Sequence, residues 1–240
     1  MSAPAQPVPA GPAIVLLSGG LDSAVNLKRA VDETGVALAL TFDYGQRAAA
    51  REAAAAASMC RQLGVRHRLV PLPWLAEVCQ SALMPQGKSV PKVSASQLDG
   101  PRVTSGDTAA EVWVPNRNGV LVNIGAAFAE CLGAPSVVVG FNAEEAAAFP
   151  DNSADFVAAA NAALQLSTRG KVSLASYTQD LSKAEIVRLG REIEAPLPLI
   201  WSCYLGGSDH CWRCESCARL ERALRSAGAW EWFHAQRVVP

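Results

Sequence analysis

Four cysteines crowd together near the end of the chain: Cys203, Cys211, Cys214 and Cys217, separated by seven, two and two residues. Four thiolates this close can close a tetrahedral Zn²⁺ site with no open position, which makes the metal structural rather than catalytic. The same run also begins like a ferredoxin motif, although the next cysteine of such a motif falls on Glu221. Cys203 could serve either centre as a fourth ligand, so spacing leaves zinc and iron–sulfur both open. His210 is read as an exposed neighbour and not as a ligand. Cys60, Cys79 and Cys131 read as small buried hydrophobes. An odd total of seven cysteines, four of them clustered, fits a reducing cytoplasm and not a disulfide framework.

A second string could do chemistry on phosphates. Ala13–Leu17 is a short apolar strand pattern, and Ser18-Gly19-Gly20-Leu21-Asp22-Ser23 follows it before a helical stretch from Ala24. Two glycines let the backbone turn tightly against a ligand. The amides at the helix start point outward, backed by the positive end of the helix dipole. Ser18 and Ser23 can donate hydroxyl hydrogen bonds. Asp22 repels phosphate, so its place is as a partner of Mg²⁺ carried by ATP. A decoy, Gly87-Lys88-Ser89, lacks the first glycine of a Walker loop because Ala82 occupies that position.

Other polar residues leave strand-like stretches. Phe42, Asp43, Tyr44, Gln46 and Arg47 follow the second strand at its carboxyl end, where open α/β sheets bind ligands. Arg117 and Asn118 open a helix, and Arg117 could clamp a carboxylate or phosphate. Lys183 sits in the first turn of a helix, against the dipole preference, which points to a ligand-facing role. Glu144, Glu145 and Asp151 lie in a loop after the fourth strand. A carboxylate there could accept two hydrogen bonds from a guanine-like edge.

The elements that must carry these residues read as β-α-β-α-β at the start, with helices Ala24–Glu33 and Ala48–Leu63 and strands Val36–Phe42 and Val65–Leu72. Pro73 to about Glu111 reads as a long loop or lid. Asn118–Leu132 is helical, Ser136–Phe141 a strand, Phe156–Leu166 a helix, Lys171–Ala175 a strand and Ser182–Glu192 a helix with a Ser182/Glu185 capping box. Alternating strands and helices argue for a doubly wound α/β parallel sheet. Residues 1–12 read as a disordered tail, 13–200 as the sheet domain, and 201–240 as a small metal-binding extension packed on it. Half the residues are hydrophobic and the net charge is −1, which supports a sizeable core and gives no electrostatic drive toward nucleic acid or membrane. No apolar run reaches membrane-span length.

These strings together resemble the ATP pyrophosphatase superfamily and, more narrowly, the QueC family of queuosine biosynthesis. The resemblance rests on Leu16–Ser23, Thr41–Arg47, Val114–Asn118, Gly140–Asn142, Leu181–Ile186 and Trp201–Gly207 with the cysteines after it. It implies Leu17 through Ala24 together with Phe42, Asp43, Tyr44, Gln46 and Arg47 at ATP, with Asp22, Lys183 and Arg117 catalytic. It implies Asn118, Glu144, Glu145 and Asp151 at the substrate, and zinc on the four cysteines. The implied reaction joins ATP, ammonia and 7-carboxy-7-deazaguanine, with a homodimer expected and the cytoplasm as its place. Phe149-Pro-Asp-Asn-Ser153 departs from the family's Tyr-Pro-Asp-Cys-Arg at Asn152 and Ser153, which bears on the substrate more than on the nucleotide. The rival readings are a tRNA-modifying relative with an iron–sulfur cluster and a non-enzymatic nucleotide-binding module.

Overall fold

The computed structural model describes residues 7–93, Leu98 and residues 105–238. The first six residues of the expected tail, and the middle of the expected 73–111 loop, lie outside the described residues. Five strands, β1 (Ala13–Leu16), β2 (Val36–Asp43), β3 (His67–Pro71), β4 (Ser136–Val138) and β5 (Ser173–Ala175), make one sheet. Its order is β3-β2-β1-β4-β5 and every pair is parallel. The chain therefore winds outward from β1 in one direction and then returns to build the other half from β4. That reversal between β1 and β4 opens a crevice at the strand carboxyl ends.

The helices in chain order are α1 (Leu21–Glu33), α2 (Ala49–Leu63), α3 (Pro73–Val78), α4 (Ser105–Val112) and α5 (Arg117–Leu132). They continue with α6 (Ala143–Ala146), α7 (Ala154–Ser167), α8 (Lys183–Glu192), α9 (Glu215–Ser226) and α10 (Trp230–Gln236). Strand side chains alternate between two cores, as the period of two demands. Ala13, Val15 and Leu17 face α1, α2 and α8, while Ile14 faces α5 and α7 together with Leu40 and Val137. The cysteine-bearing end joins the first core directly, because Cys203, Cys217, Leu220, Leu224 and Phe233 pack in the same cluster as Val15 and Leu27.

Local signals explain most ends. Gly64 stops α2 in the left-handed conformation at φ 67°. The Ser182/Glu185 capping box is present, and Ser153 caps α7 by accepting from the Phe156 amide. Several expectations need correction: β3 begins at His67 and β5 at Ser173, each two residues later than expected, and α1 begins at Leu21. The stretch from Pro73 to Glu111 is not a plain loop, since it contains α3, opened by a proline at its first turn, and α4. β4 also stops at Val138 instead of Phe141. Among the described residues, no helix is long and apolar enough to cross a membrane.

Candidate active site and metal centre

The crevice at the reversal point is a cavity of about 260 Å³. Its floor is the loop between β1 and α1. Gly19 holds φ +80°, and a Cβ there would stand 2.8 Å from the Glu52 carbonyl oxygen, so only glycine fits. Ser18 and Ser23 hydroxyls lie 3.1 Å apart, and Ser23 also donates to the Gly20 carbonyl at 3.1 Å. No side chain caps the first turn of α1, which leaves its amides for an anion. A Cβ on Gly140 would come within 2.8 Å of the Ser23 amide nitrogen, so β4 can press its end against the same loop. Behind it, buried Asn26 donates to the Asp22 carbonyl at 2.8 Å and to Thr178 at 2.7 Å, tying the loop across to the segment after β5.

Charge enters from α1, α5, α6 and α8. Lys183, first residue of α8, donates to Asp22 Oδ2 at 2.8 Å and sits 2.7 Å from Glu145 Oε1. Burial alone would lower the Lys183 pKa, but the two carboxylates outweigh it and its ammonium is held charged. Two carboxylates sharing one cation do not titrate alike. Burial raises Asp22, whereas Lys183 pulls Glu145 down despite its burial. Asp22 Oδ1 is buried with no hydrogen-bond partner. An orphaned carboxylate oxygen in a cluster with one surplus negative charge fits a divalent cation bridging to phosphate.

Arg117 reaches the cavity from the start of α5. It donates to Tyr44 Oη at 3.4 Å and to Asn118 Oδ1 at 3.2 Å, and no carboxylate pairs with it among the described residues. Burial opposes its charge, yet Tyr44 and Asp151 nearby keep it protonated. An unpaired guanidinium in a cavity wall is a ready anion clamp.

The expected ligand residues divide. Leu17, Ser18, Gly20, Leu21, Asp22, Ser23, Phe42, Tyr44, Gln46, Arg117, Asn118, Glu145 and Lys183 line the cavity. Gly19 and Ala24 do not line the cavity, and Ala24 is fully buried. Asp43 accepts from the Gly45 amide at 3.0 Å and shapes the turn. Arg47 turns away from the cavity. Its guanidinium donates to the Ala82 carbonyl at 3.0 Å and reaches those of Gly87 and Lys88, holding the loop after α3. Asp151 lies in a side recess of about 70 Å³ with Trp113, Phe149 and Arg219. Both Glu144 oxygens are taken, one by the Lys183 amide at 2.8 Å and the other by Arg222. Further cavity residues were not singled out from the sequence: Glu52, Trp201, Ser202, Tyr204, Ser216 and Leu220. The Trp201–Gly207 motif marks this stretch in the sequence, and its Trp201, Ser202 and Tyr204 line the cavity.

The four clustered cysteines do come together. Their Sγ atoms all lie within 4.8 Å of one another, and those of Cys211 and Cys217 are 3.9 Å apart. Zn–S bonds of about 2.3 Å in a tetrahedron require sulfurs roughly 3.8 Å apart, so the thiolates fit a single metal ion. The amides of Arg213 and Cys214 point at Cys211 Sγ, at 3.4 and 3.2 Å, where they favour the thiolate form that a metal needs. His210 corrects the expectation of exposure. It is buried, it accepts from the Ser202 amide at 3.1 Å, and it stacks on Trp212 with the tilted Trp201 ring against it. Cys131 is the reverse correction: Cys60 and Cys79 are buried, but Cys131 is exposed on α5.

With this geometry in view, relatives decide the family. A family profile described as queuosine biosynthesis protein QueC matches residues 12–228. The chain belongs to the QueC family. A 7-cyano-7-deazaguanine synthase of Pelotomaculum thermopropionicum is 54% identical over 215 residues, covering 90% of this chain and 97% of that protein. One from Bdellovibrio bacteriovorus is 49% identical over 89% of this chain and 93% of its own length, and one from Methanosarcina mazei 43% over 90% and 94%. At 16% identity, a solved NMN synthetase from Francisella tularensis has a TM-score of 0.48, covering 97% of this chain and 90% of that one, too distant to bear on function. The QueC match runs from the strand before the phosphate loop to the end of α9, so it spans both the cavity and the four cysteines.

Proposed function

We propose that the cavity converts 7-carboxy-7-deazaguanine and ammonia to 7-cyano-7-deazaguanine at the expense of ATP. The observation that carries this is the contact of Lys183 with Asp22 at 2.8 Å, beside an open helix start, in a chain of the QueC family. A carboxylate oxygen attacks the α-phosphorus of ATP and pyrophosphate leaves. Ammonia displaces AMP from the acyl adenylate, giving the amide. The amide oxygen is adenylated by a second ATP, and loss of AMP and protons leaves the nitrile.

The residues here act by holding charge. The α1 amides, Ser18 and Ser23 receive the pyrophosphate end. Lys183 and Arg117 offset negative charge developing at the transferred phosphorus, and being fixed and partly desolvated they do so without reorganising. Mg²⁺ arriving with ATP fits the Asp22 Oδ1 position and would neutralise phosphate charge there. Asp151 and the parallel rings of Trp113 and Phe149, 6.3 Å apart, suit the flat base in the side recess. Glu145 accompanies Lys183 at its edge. Asn118 orients Arg117 and donates to the Asp151 carbonyl at 3.4 Å, so it links clamp and recess.

We read the metal on Cys203, Cys211, Cys214 and Cys217 as a structural zinc ion. A cubane cluster would place each thiolate on a different iron and spread the sulfurs further than they lie. The reading carries with it free ammonia as nitrogen donor, a cytoplasmic location and a homodimer, which size-exclusion with light scattering would read.

Mass spectrometry of a mixture of ATP, ammonium and 7-carboxy-7-deazaguanine tests the reaction. The nitrile, AMP and pyrophosphate are the expected products; ADP and phosphate would overturn adenylation. A hydrogen bond to a charged group contributes about 1.5–3 kcal/mol, so Asp151→Ala should weaken the deazaguanine about ten- to a hundredfold while leaving ATP affinity unchanged. Equal loss for both ligands would remove Asp151 from base recognition.

A further inference from the structure

Glu144 and Glu145 are consecutive, yet they hold the same residue from two ends. Glu145 meets the Lys183 ammonium at 2.7 Å, and Glu144 Oε1 accepts the Lys183 backbone amide at 2.8 Å. That amide is one of the unsatisfied donors of the first turn of α8, so a carboxylate from outside the helix is both a hydrogen-bond partner and a match for the positive helix end. The other Glu144 oxygen is bound by Arg222 of α9. Short local bonds fix both glutamates. Asn142 caps α6 through the Glu145 amide at 2.9 Å, and the Ala143 amide donates to the Leu181 carbonyl at 3.1 Å, which docks α6 on the entry to α8.

α9 is the helix that the metal centre begins. Cys214 is its N-cap residue and Cys217 lies in its first turn, while Ser216 and Leu220 face the cavity. A continuous path of bonded groups therefore runs from the cysteine cluster along α9 to Arg222, through Glu144 to the Lys183 main chain, and from Lys183 to Asp22. Glu144 itself lines neither the cavity nor the side recess.

We propose that Glu144 is a positioning residue: it sets Lys183 against the phosphate loop by joining the Lys183 amide to Arg222 of the cysteine-anchored helix. This rests on the adenylation reading only for its kinetic consequence; the placement of Lys183 stands apart from it. Glu144→Gln keeps an acceptor for the amide and weakens the hold on Arg222, whereas Glu144→Ala loses both.

Two readouts test the proposal. In steady state, Glu144→Ala should lower kcat about tenfold or more with KM for 7-carboxy-7-deazaguanine little changed, and Glu144→Gln should recover part of it. A base-reading Glu144 would instead raise KM, and that result would overturn the proposal. Competitive acylation of lysine amines, read by mass spectrometry, does not depend on the substrate. Lys183 should label several times faster in Glu144→Ala than in the parent, with Glu144→Gln between, while the exposed Lys88 and Lys171 keep parental rates. Unchanged Lys183 labelling in a folded Glu144→Ala protein would overturn the placement even if the parent made no nitrile. Faster labelling of all three lysines would mark general loosening and would also count against it.

Discussion

The two walls of the cavity are held by different means. The wall made by the β1–α1 loop, the end of β2 and the start of α5 grows from a parallel sheet. Its central strands β1 and β4 are buried on both faces, and its loop is pinned by main-chain bonds and by Asn26. The wall made by Trp201, Tyr204, Ser216 and Leu220 contributes no strand to that sheet. It is attached by the Trp201 amide on the Gly19 carbonyl at 2.8 Å, by a bridge between Lys92 and Cys214, by the core around Phe233 and by the four thiolates. The end of the cavity at the β1–α1 loop is thus carried by the sheet itself, whereas the opposite end is completed by a segment whose own anchor is a cluster of four cysteines able to hold a metal.

Removing the metal breaks this comparison hardest. Structural zinc sites contribute roughly 10–16 kcal/mol of apparent binding energy to folding, so Cys214→Ser or strong chelation should release the ion and abolish turnover. Hydrogen exchange should then accelerate across residues 201–238 before the central strands β1, β2 and β4 lose protection. Equal loss in both regions would mean that the walls are one cooperative unit. A brown, iron-containing parent would replace zinc in the account.

Asp22→Asn probes the sheet-held wall. Loss of one preorganised charge at the reacting phosphate costs about 10²–10³ in turnover, and AMP release should fall by that much with metal content unchanged. A variant that also lost its metal would show the two regions coupled through Lys183. Asn26→Ala is a stability test of the same wall. It leaves the Tyr177 amide and the Thr178 hydroxyl short of a partner, at a cost of about 2–3 kcal/mol. For a chain of this size the Tm should fall by roughly 5–10 °C, seen by calorimetry.

The smallest effect is in pH. Half-buried His67 on β3 bonds to Thr41, and burial lowers its pKa below the ordinary value of 6.5. The unfolded chain then takes up the proton first, so this contribution is full above about pH 6.5 and is lost as the pH falls. His67→Gln should flatten that acid limb in urea titrations. An unchanged limb would assign it to another group.

Legibility in the sequence follows the same division. The glycine loop between β1 and α1 is readable because its signals are local: an apolar strand, two glycines and a helix start within about a dozen positions. The parallel, doubly wound sheet followed from alternating elements. Lys183 stood out against the dipole preference. Ser216 and Leu220 carry no such signal, since a helix face becomes a cavity wall only through its tertiary packing. Glu144 and Glu145 were equivalent on paper, because successive helical residues point about 100° apart and nothing in their type says which way. α3 and α4 were missed between flanking prolines, glycines and serines whose helix propensity is poor.

The most direct test of the account follows oxygen. Both carboxylate oxygens of 7-carboxy-7-deazaguanine are labelled with ¹⁸O, and the reaction is run with ¹⁵N-ammonium. Two successive adenylations predict two AMP molecules for each nitrile, each carrying one ¹⁸O in its phosphate, and ¹⁵N in the nitrile. Label appearing in inorganic phosphate or water, with none in AMP, would contradict adenylation at this site.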